Sequence, residues 1–377
     1  MYMIKKALSF FISIVFVTTA YASPIPPAPK VNVKSYVLMD FDSGMILASS
    51  NPDLTLPPAS ITKIMTAYIA FTELKEKNIT LDEEILVSKK AWKTGGSKMF
   101  IEVGKKIKLE DILQGVITVS GNDASVALAE HISGDVKTFS TYMNQTARNI
   151  GLNNTNYTNP TGLPDDSLYT TAHDIALLSK SLISNFPDLY KLYSTKSFTF
   201  NEIKQYSRNK LLFVDENVDG IKTGFTKAAG YCLASSSKRG QRRLIAVVMG
   251  APSPEVRIQS SRTLLEYGFR FFETHNIFKK NTTISETKIY GGEKSELKFG
   301  VSSKAVITIP RRQKKNLKYE YIIDQKLTAP IAQNETIGFM NIKLKGEIIK
   351  TYKLIALEDI NQGSLYRRTL DSFLMDL

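Results

Sequence analysis

The chain has 377 residues, 49 Lys and Arg against 36 Asp and Glu, and a formal net charge of +13. That length allows two domains. The lone cysteine, Cys232, excludes an intramolecular disulfide, and three histidines without metal-ligand spacing leave no zinc site for it to complete. The positive charge suits an anionic wall or membrane surface. Nucleic acid is not expected, because the chain has the start of an exported protein and no nucleic-acid-binding motif.

Residues 1–22 read as a secretory signal: Lys5-Lys6, an apolar stretch from Ala7 to Thr19, and the small-x-small site Ala20-Tyr21-Ala22. The alternative is an uncleaved anchor, against which the short apolar core and the cleavage site argue. Cleavage would remove two lysines and no acid, leaving +11. Val37 to Phe41 and Met45 to Ala48 flank Asp42-Ser43-Gly44, a hairpin signal.

Ser60-Ile61-Thr62-Lys63 opens a helical stretch, Ser60 to Leu74, and residues three apart on a helix share a face. The Lys63 amine then reaches the Ser60 hydroxyl. A serine is a weak nucleophile until a base takes its proton. A lysine serves as that base only if burial and nearby cations lower its pKa from about 10.4. Helices are expected at Leu109 to Ser120, Asp123 to Ile132, Val136 to Ile150 and Ala172 to Ser184. Ser120-Gly121-Asn122 lies between two of these, on a loop facing a cleft.

Lys222-Thr223-Gly224 continues a strand reading that begins at Val218. Its lysine offers positive charge to a carboxylate, and Gly224 lets a bound peptide approach the strand. Strands Gly230 to Ser237 and Arg242 to Gly250 surround Lys238-Arg239-Gly240, and Ser253 to Phe272 reads as a helix. Cys232 falls in an apolar run, which argues for a buried, unreactive thiol. Lys93-Thr94-Gly95 repeats the lysine tripeptide, but it precedes Ser120 and runs into Gly95-Gly96-Ser97. It reads as a loop at the cleft rim.

From Asn281 to Leu357 short alternating segments take over: Thr283 to Tyr290, Ala305 to Ile309, Leu317 to Asp324 and Ile337 to Leu344. These predict a small all-β domain. In the tail, Tyr366, Leu370, Phe373, Leu374 and Leu377 fall on one helical face, with Ser364 as a cap. Such a helix is too short to span a bilayer and suits its interface. The alternative is that its apolar face packs on the β domain.

Together, Ser60 to Lys63, Ser120 to Asn122 and Lys222 to Gly224 resemble the penicilloyl-serine transferase superfamily. Asp219-Gly220-Ile221-Lys222-Thr223-Gly224-Phe225-Thr226, Ala229-Gly230-Tyr231 and Gly268 to Thr274 narrow the resemblance to low-molecular-mass D-alanyl-D-alanine carboxypeptidases. The resemblance implies an α/β (α+β) peptidase domain at 23–275, its antiparallel sheet covered by helices on both faces. A small all-β domain at 276–358 and a C-terminal amphipathic helix at 359–377 follow. It also implies removal of the terminal D-alanine from peptidoglycan pentapeptide stems, acylation by β-lactams, and attachment by the tail to the outer face of the inner membrane.

In that frame Ser60 is the nucleophile, Lys63 the general base, and Ser120 a proton relay. Asn122 holds the substrate peptide and Lys63. Lys222, Thr223 and Gly224 bind substrate. Arg257 is a carboxylate ligand by resemblance, or otherwise a helix-surface arginine. Backbone N–H groups of Ser60 and of the strand near Thr226 would form the oxyanion hole. Phe225 and Lys227 stand where related enzymes often have histidine and aspartate. No cofactor is called for. A β-lactamase is the second enzyme reading, though no Glu-x-x-x-Asn segment for deacylation lies between the second and third motifs. A catalytically silent wall-binding scaffold is the third.

Overall fold

The structure is a computed structural model describing residues 26–324 and 326–375; the expected signal, Asp376 and Leu377 lie outside them. The chain opens with the antiparallel hairpin β1 (Ser35–Asp40) and β2 (Ile46–Ser50). A 3-10 turn at Ala59–Thr62 leads into α1 (Lys63–Lys75). β3 (Glu84–Leu86) pairs with a later strand across α2 (Lys89–Lys93); that partner is β4 (Lys106–Lys108). Four helices follow: α3 (Leu109–Ile117), α4 (Asn122–Ser133), α5 (Val136–Ile150) and α6 (Ala172–Asn185). A hairpin absent from the sequence reading, β5 (Ser197–Phe200) and β6 (Ile203–Tyr206), precedes the short α7 (Leu211–Val214). Three long strands, β7 (Val218–Thr226), β8 (Gly230–Arg239) and β9 (Arg242–Ala251), end at α8 (Pro254–Phe271).

The sheet runs β2-β1-β9-β8-β7, antiparallel throughout. Alternation along β1 and β9 sends Val37, Met39, Ile245, Val247 and Met249 to one face, and Leu38, Leu244, Ala246 and Val248 to the other. Helices α1 and α3 to α6 build the core on the first face, and α8 covers the second. This is the expected layering. Strand β7 is left at the edge, with one row of backbone groups free to pair.

No linker separates the second unit: Phe272, the residue that caps α8, begins β10 (Phe272–Phe278). The expected boundary at 275/276 thus falls inside β10. β11 (Ser285–Lys288), β12 (Glu296–Val301), β13 (Ala305–Pro310), β14 (Leu317–Ile323), β15 (Thr336–Leu344) and β16 (Glu347–Ala356) complete it. One sheet has the order β11-β12-β16-β15-β14, and β10 pairs with β13. Leu297, Phe299, Ile307, Ile309, Met340 and Leu354 share its core.

The tail forms α9 (Leu365–Met375), and Arg367 N–H reaches Ser364 Oγ at 3.4 Å. The helix docks by its polar side chains. Asp371 accepts the Gly291 N–H at 2.6 Å, and Arg367 donates to the Glu293 carbonyl at 3.2 Å. Tyr366 is 80% exposed and Phe373 71%, with Leu370 and Leu374 also exposed. Among the described residues, no member of the apolar face is buried against the β domain. No helix among the described residues is long and apolar enough to cross a membrane.

Candidate active site

The helix expected from Ser60 begins later: Ser60 sits inside the 3-10 turn, and Lys63 is the first residue of α1. The expected proximity survives this change. Lys63 Nζ lies 3.0 Å from Ser60 Oγ and donates to Asn122 Oδ1 at 2.6 Å and to the Thr161 carbonyl at 2.7 Å. Its side chain is 0% exposed. Burial, then the positive charge of Lys222, holds its pKa well below the ordinary lysine value, with Asp123 opposing.

Ser120 is buried between α3 and α4 at φ 64°, a left-handed conformation that costs a serine on the order of 1 kcal/mol or more. Its neighbours fix it. Gly121 N–H bonds the Gly115 carbonyl at 2.8 Å, and Asn122 N–H bonds that of Ser97 at 2.7 Å. The Asp123 carboxylate accepts the N–H groups of Met99 (2.8 Å) and Phe100 (2.9 Å), tying the 97–101 loop to the start of α4. Asn122 Nδ2 donates to the Gly95 carbonyl at 2.7 Å. The second Lys-Thr-Gly thus runs from the end of α2 into a loop that Asn122 holds at Gly95 and that reaches the cleft at Ser97, a contact no local pattern announces.

Strand β7 lays Gly224 against the serine. A Cβ there would meet the Pro58 carbonyl oxygen at 2.9 Å and Ser60 N at 3.2 Å, so the approach needs glycine. Gly162 (φ +81°) presses on the same turn from another side, where a Cβ would meet the Ala59 carbonyl oxygen at 1.8 Å. Lys222 is buried with no carboxylate within ion-pair distance among the described residues. Burial, then Arg208 and Arg257, push its pKa down to about 7.

Arg257 is not a surface arginine: α8 buries it, its guanidinium lies 5.8 Å from the Tyr231 ring centre, and its Nε has no partner. Ser60, Ser120, Thr223, Gly224, Arg208 and Arg257 line one cleft of about 500 Å³. Arg208 escaped the sequence reading because it sits in the β6–α7 connection, outside any motif. Phe225 also lines this cleft, stacked on Tyr231 at 4.3 Å. Lys63, Asn122 and Lys222 are buried and lie outside this lining, and Thr226 belongs to another cavity. Its hydroxyl accepts the Ala229 N–H at 3.0 Å, and it lines an adjoining cavity of about 530 Å³.

The remaining chemical candidates lie elsewhere. Cys232 is fully buried in β8, its pKa pushed up to about 11 by burial. His131, His173 and His275 pair with Glu83, Asp53 and Glu273. Lys227 is exposed.

The cleft can activate one partly buried serine with one amine, while Arg208 and Arg257 in its lining, with Lys222 buried beside them, can receive a carboxylate. A family model of D-alanyl-D-alanine carboxypeptidases matches residues 22–253, and one of the penicillin-binding protein 5 C-terminal domain matches residues 272–362. The chain is 40% identical over 369 residues to D-alanyl-D-alanine carboxypeptidase DacC of Escherichia coli K12, covering 96% of this chain and 92% of that one. To DacA of Haemophilus influenzae it is 41% identical over 349 residues, 91% of this chain and 89% of that one. The crystal structure of penicillin binding protein 5 from Haemophilus influenzae superposes with a TM-score of 0.87 at 41% identity, covering 89% of this chain and 99% of that chain. Penicillin binding protein 6B from Escherichia coli gives 0.74 at 34% identity, covering 87% and 96%.

Proposed function

This chain belongs to the D-alanyl-D-alanine carboxypeptidase family and is a serine-type hydrolase of peptidoglycan stem peptides, and we propose that it works through an acyl-enzyme on Ser60. The observation that carries this reading is the setting of Lys63. A neutral amine has two N–H donors and one lone pair. Asn122 Oδ1 and the Thr161 carbonyl are acceptors only, so they take both N–H groups and leave the lone pair facing the Ser60 hydroxyl. The lowered pKa keeps that amine available as a base.

A stem peptide would pair with the free edge of β7, its terminal carboxylate among Lys222, Arg208 and Arg257. Lys63 takes the Ser60 proton as Oγ attacks the penultimate D-alanine carbonyl. The proton passes through the Ser120 hydroxyl to the leaving amine, and D-alanine departs. Water, deprotonated by Lys63, then cleaves the ester and restores the serine. The cleft position of Phe225 supports its N–H, together with that of Ser60, as the oxyanion donors, in place of the group near Thr226. A β-lactam enters the same cycle, with its ring amide as the acylating bond. Labelling with a fluorescent penicillin followed by peptide mapping should find the label on Ser60; a label on any other residue refutes the assignment.

The same proposal places the protein outside the cytoplasm. Residues 1–22 direct export, and α9 tethers the enzyme weakly to the outer face of the inner membrane by its exposed apolar face. Division into a peptidase unit, a β unit and this tail is part of the reading.

A further inference from the structure

A pocket of about 380 Å³ lies where the β domain meets the β1–β2 turn, apart from Ser60. Asp42 and Ser43 come from that turn, Ser302, Ser303 and Lys304 from the β12–β13 turn, and Lys350 and Lys353 from β16. A fourth lysine, Lys180 of α6, reaches over the turn until its Nζ lies 2.9 Å from where a Gly44 Cβ would sit. Lys180 is half-buried and feels the positive charge of Lys350, with Asp40 and Asp42 opposing. None of these four lysines has a carboxylate within ion-pair distance among the described residues. Asp42 is the single acid in the lining, and the nearby Asp40 is committed to Arg242.

Lys304, Lys350 and Lys353 line the pocket and Lys180 reaches over the turn that bounds it, so positive charge outweighs the single carboxylate there, and an anion with several oxygens would balance it. Ammonium groups recognise phosphate as point charges, without the planar fork that favours a carboxylate. The Ser302 and Ser303 hydroxyls carry no side-chain hydrogen bond among the described residues and add donors. The volume far exceeds the ~30 Å³ share of one water, leaving room for a group esterified to the phosphate. We propose that this interdomain pocket binds a phosphate group, as the free anion or as the phosphodiester of a lipid headgroup. Bound there, it would bridge the peptidase unit and the β unit.

The test titrates inorganic phosphate against the full chain at constant ionic strength, with chloride as the control, following the thermal midpoint and the phosphorus-31 linewidth. The midpoint should rise with phosphate alone. Lys304→Gln/Lys350→Gln should weaken that response at least tenfold and leave D-alanine release unchanged. Lys89→Gln/Lys137→Gln, at exposed lysines of the peptidase unit, should leave the response intact. An equal rise with chloride, or a phosphate response that Lys304→Gln/Lys350→Gln retains, overturns the proposal. Vesicles of phosphatidylglycerol then separate the sources. Weaker binding of the Lys304→Gln/Lys350→Gln chain than of the parent assigns a headgroup, and equal binding assigns the free anion.

Discussion

The peptidase sheet carries two clusters of buried charge built on opposite terms. At the domain seam, Asp40 is fully buried and both its oxygens are engaged. Oδ1 accepts the Ser43 N–H and hydroxyl at 3.0 Å each, and Oδ2 accepts Arg242 Nε at 3.2 Å and the Thr274 hydroxyl at 2.5 Å. Arg242 goes on to the carbonyls of Gly268 (2.9 Å) and Phe272 (2.7 Å). In the cleft, Lys63 and Lys222 are equally buried, yet neither has an ion-pair partner among the described residues. At the seam the carboxylate is fully engaged and Arg242 is bound through Nε and Nη1, Nη2 alone lacking a partner, so paired charges hold two units in one geometry. Cations left unpaired cost stability, and their depressed pKa values are what a proton acceptor and a carboxylate receptor require.

If that contrast is right, the cleft should be intolerant for activity and the seam for stability. Ser60→Ala should abolish D-alanine release and penicillin labelling, because no ester can form. Lys63→Ala should follow with a loss of about 10⁴-fold or more, since groups acting as one unit fail together. Both variants should melt near the parent, as read by calorimetry. Near-parental acylation by Lys63→Ala would remove it as the base.

The seam should answer in reverse. Asp40→Ala strands a buried guanidinium and should cost about 3–5 kcal/mol in denaturant unfolding. Asp40→Ala/Arg242→Met, which removes both charges, should recover much of that loss. Each should label with penicillin at the parental rate below its melting point. If the double variant is less stable than Asp40→Ala, the pairing account of the seam is wrong.

The two buried lysines should also separate by pH. Acylation needs Lys63 neutral, which fails on the acid side, and Lys222 charged, which fails as pH rises through about 7 in the empty cleft. The profile of kcat/KM should therefore be bell-shaped. Lys222→Arg keeps its charge throughout this range, so it should carry the alkaline limb upward and leave the acid limb in place. An unmoved alkaline limb would mean another group controls it.

How much of this contrast could be read in the chain depends on locality. Ser60 with Lys63, and Asn122 with Ser120, lie within one turn or loop, so their spacing announced them. The long strands of the sheet were legible because alternation fixes a face. Arg208 and the Asp40–Arg242–Thr274 network were not, since their partners are tens to hundreds of residues away and each residue alone is ordinary. The β5–β6 hairpin escaped because Asn201 and Glu202 turn at positive φ without a glycine. Strand β16 escaped because adjacent Ile348-Ile349 and the run Leu354-Ile355-Ala356 break its alternation, the first at an irregularity in its pairing with β15.

The smallest expected effect concerns α9, where charge and apolar surface have changed places relative to an ordinary docked helix. Arg367 and Asp371 hold it to the β domain, so its cations are partly occupied, while Tyr366, Leu370, Phe373 and Leu374 face outward. Full burial of such side chains is worth about 1.5–3 kcal/mol each, enough for reversible binding at a bilayer interface. Attachment should then survive high salt and yield to mild detergent, because anionic lipid contributes little. Truncation after Asn361 should shift the protein from membrane to soluble fraction, with penicillin labelling of Ser60 and the melting point nearly unchanged. Equal fractionation of both forms would remove the tether. Release by salt alone would move the attachment from the apolar face of α9 to the basic surface of the protein.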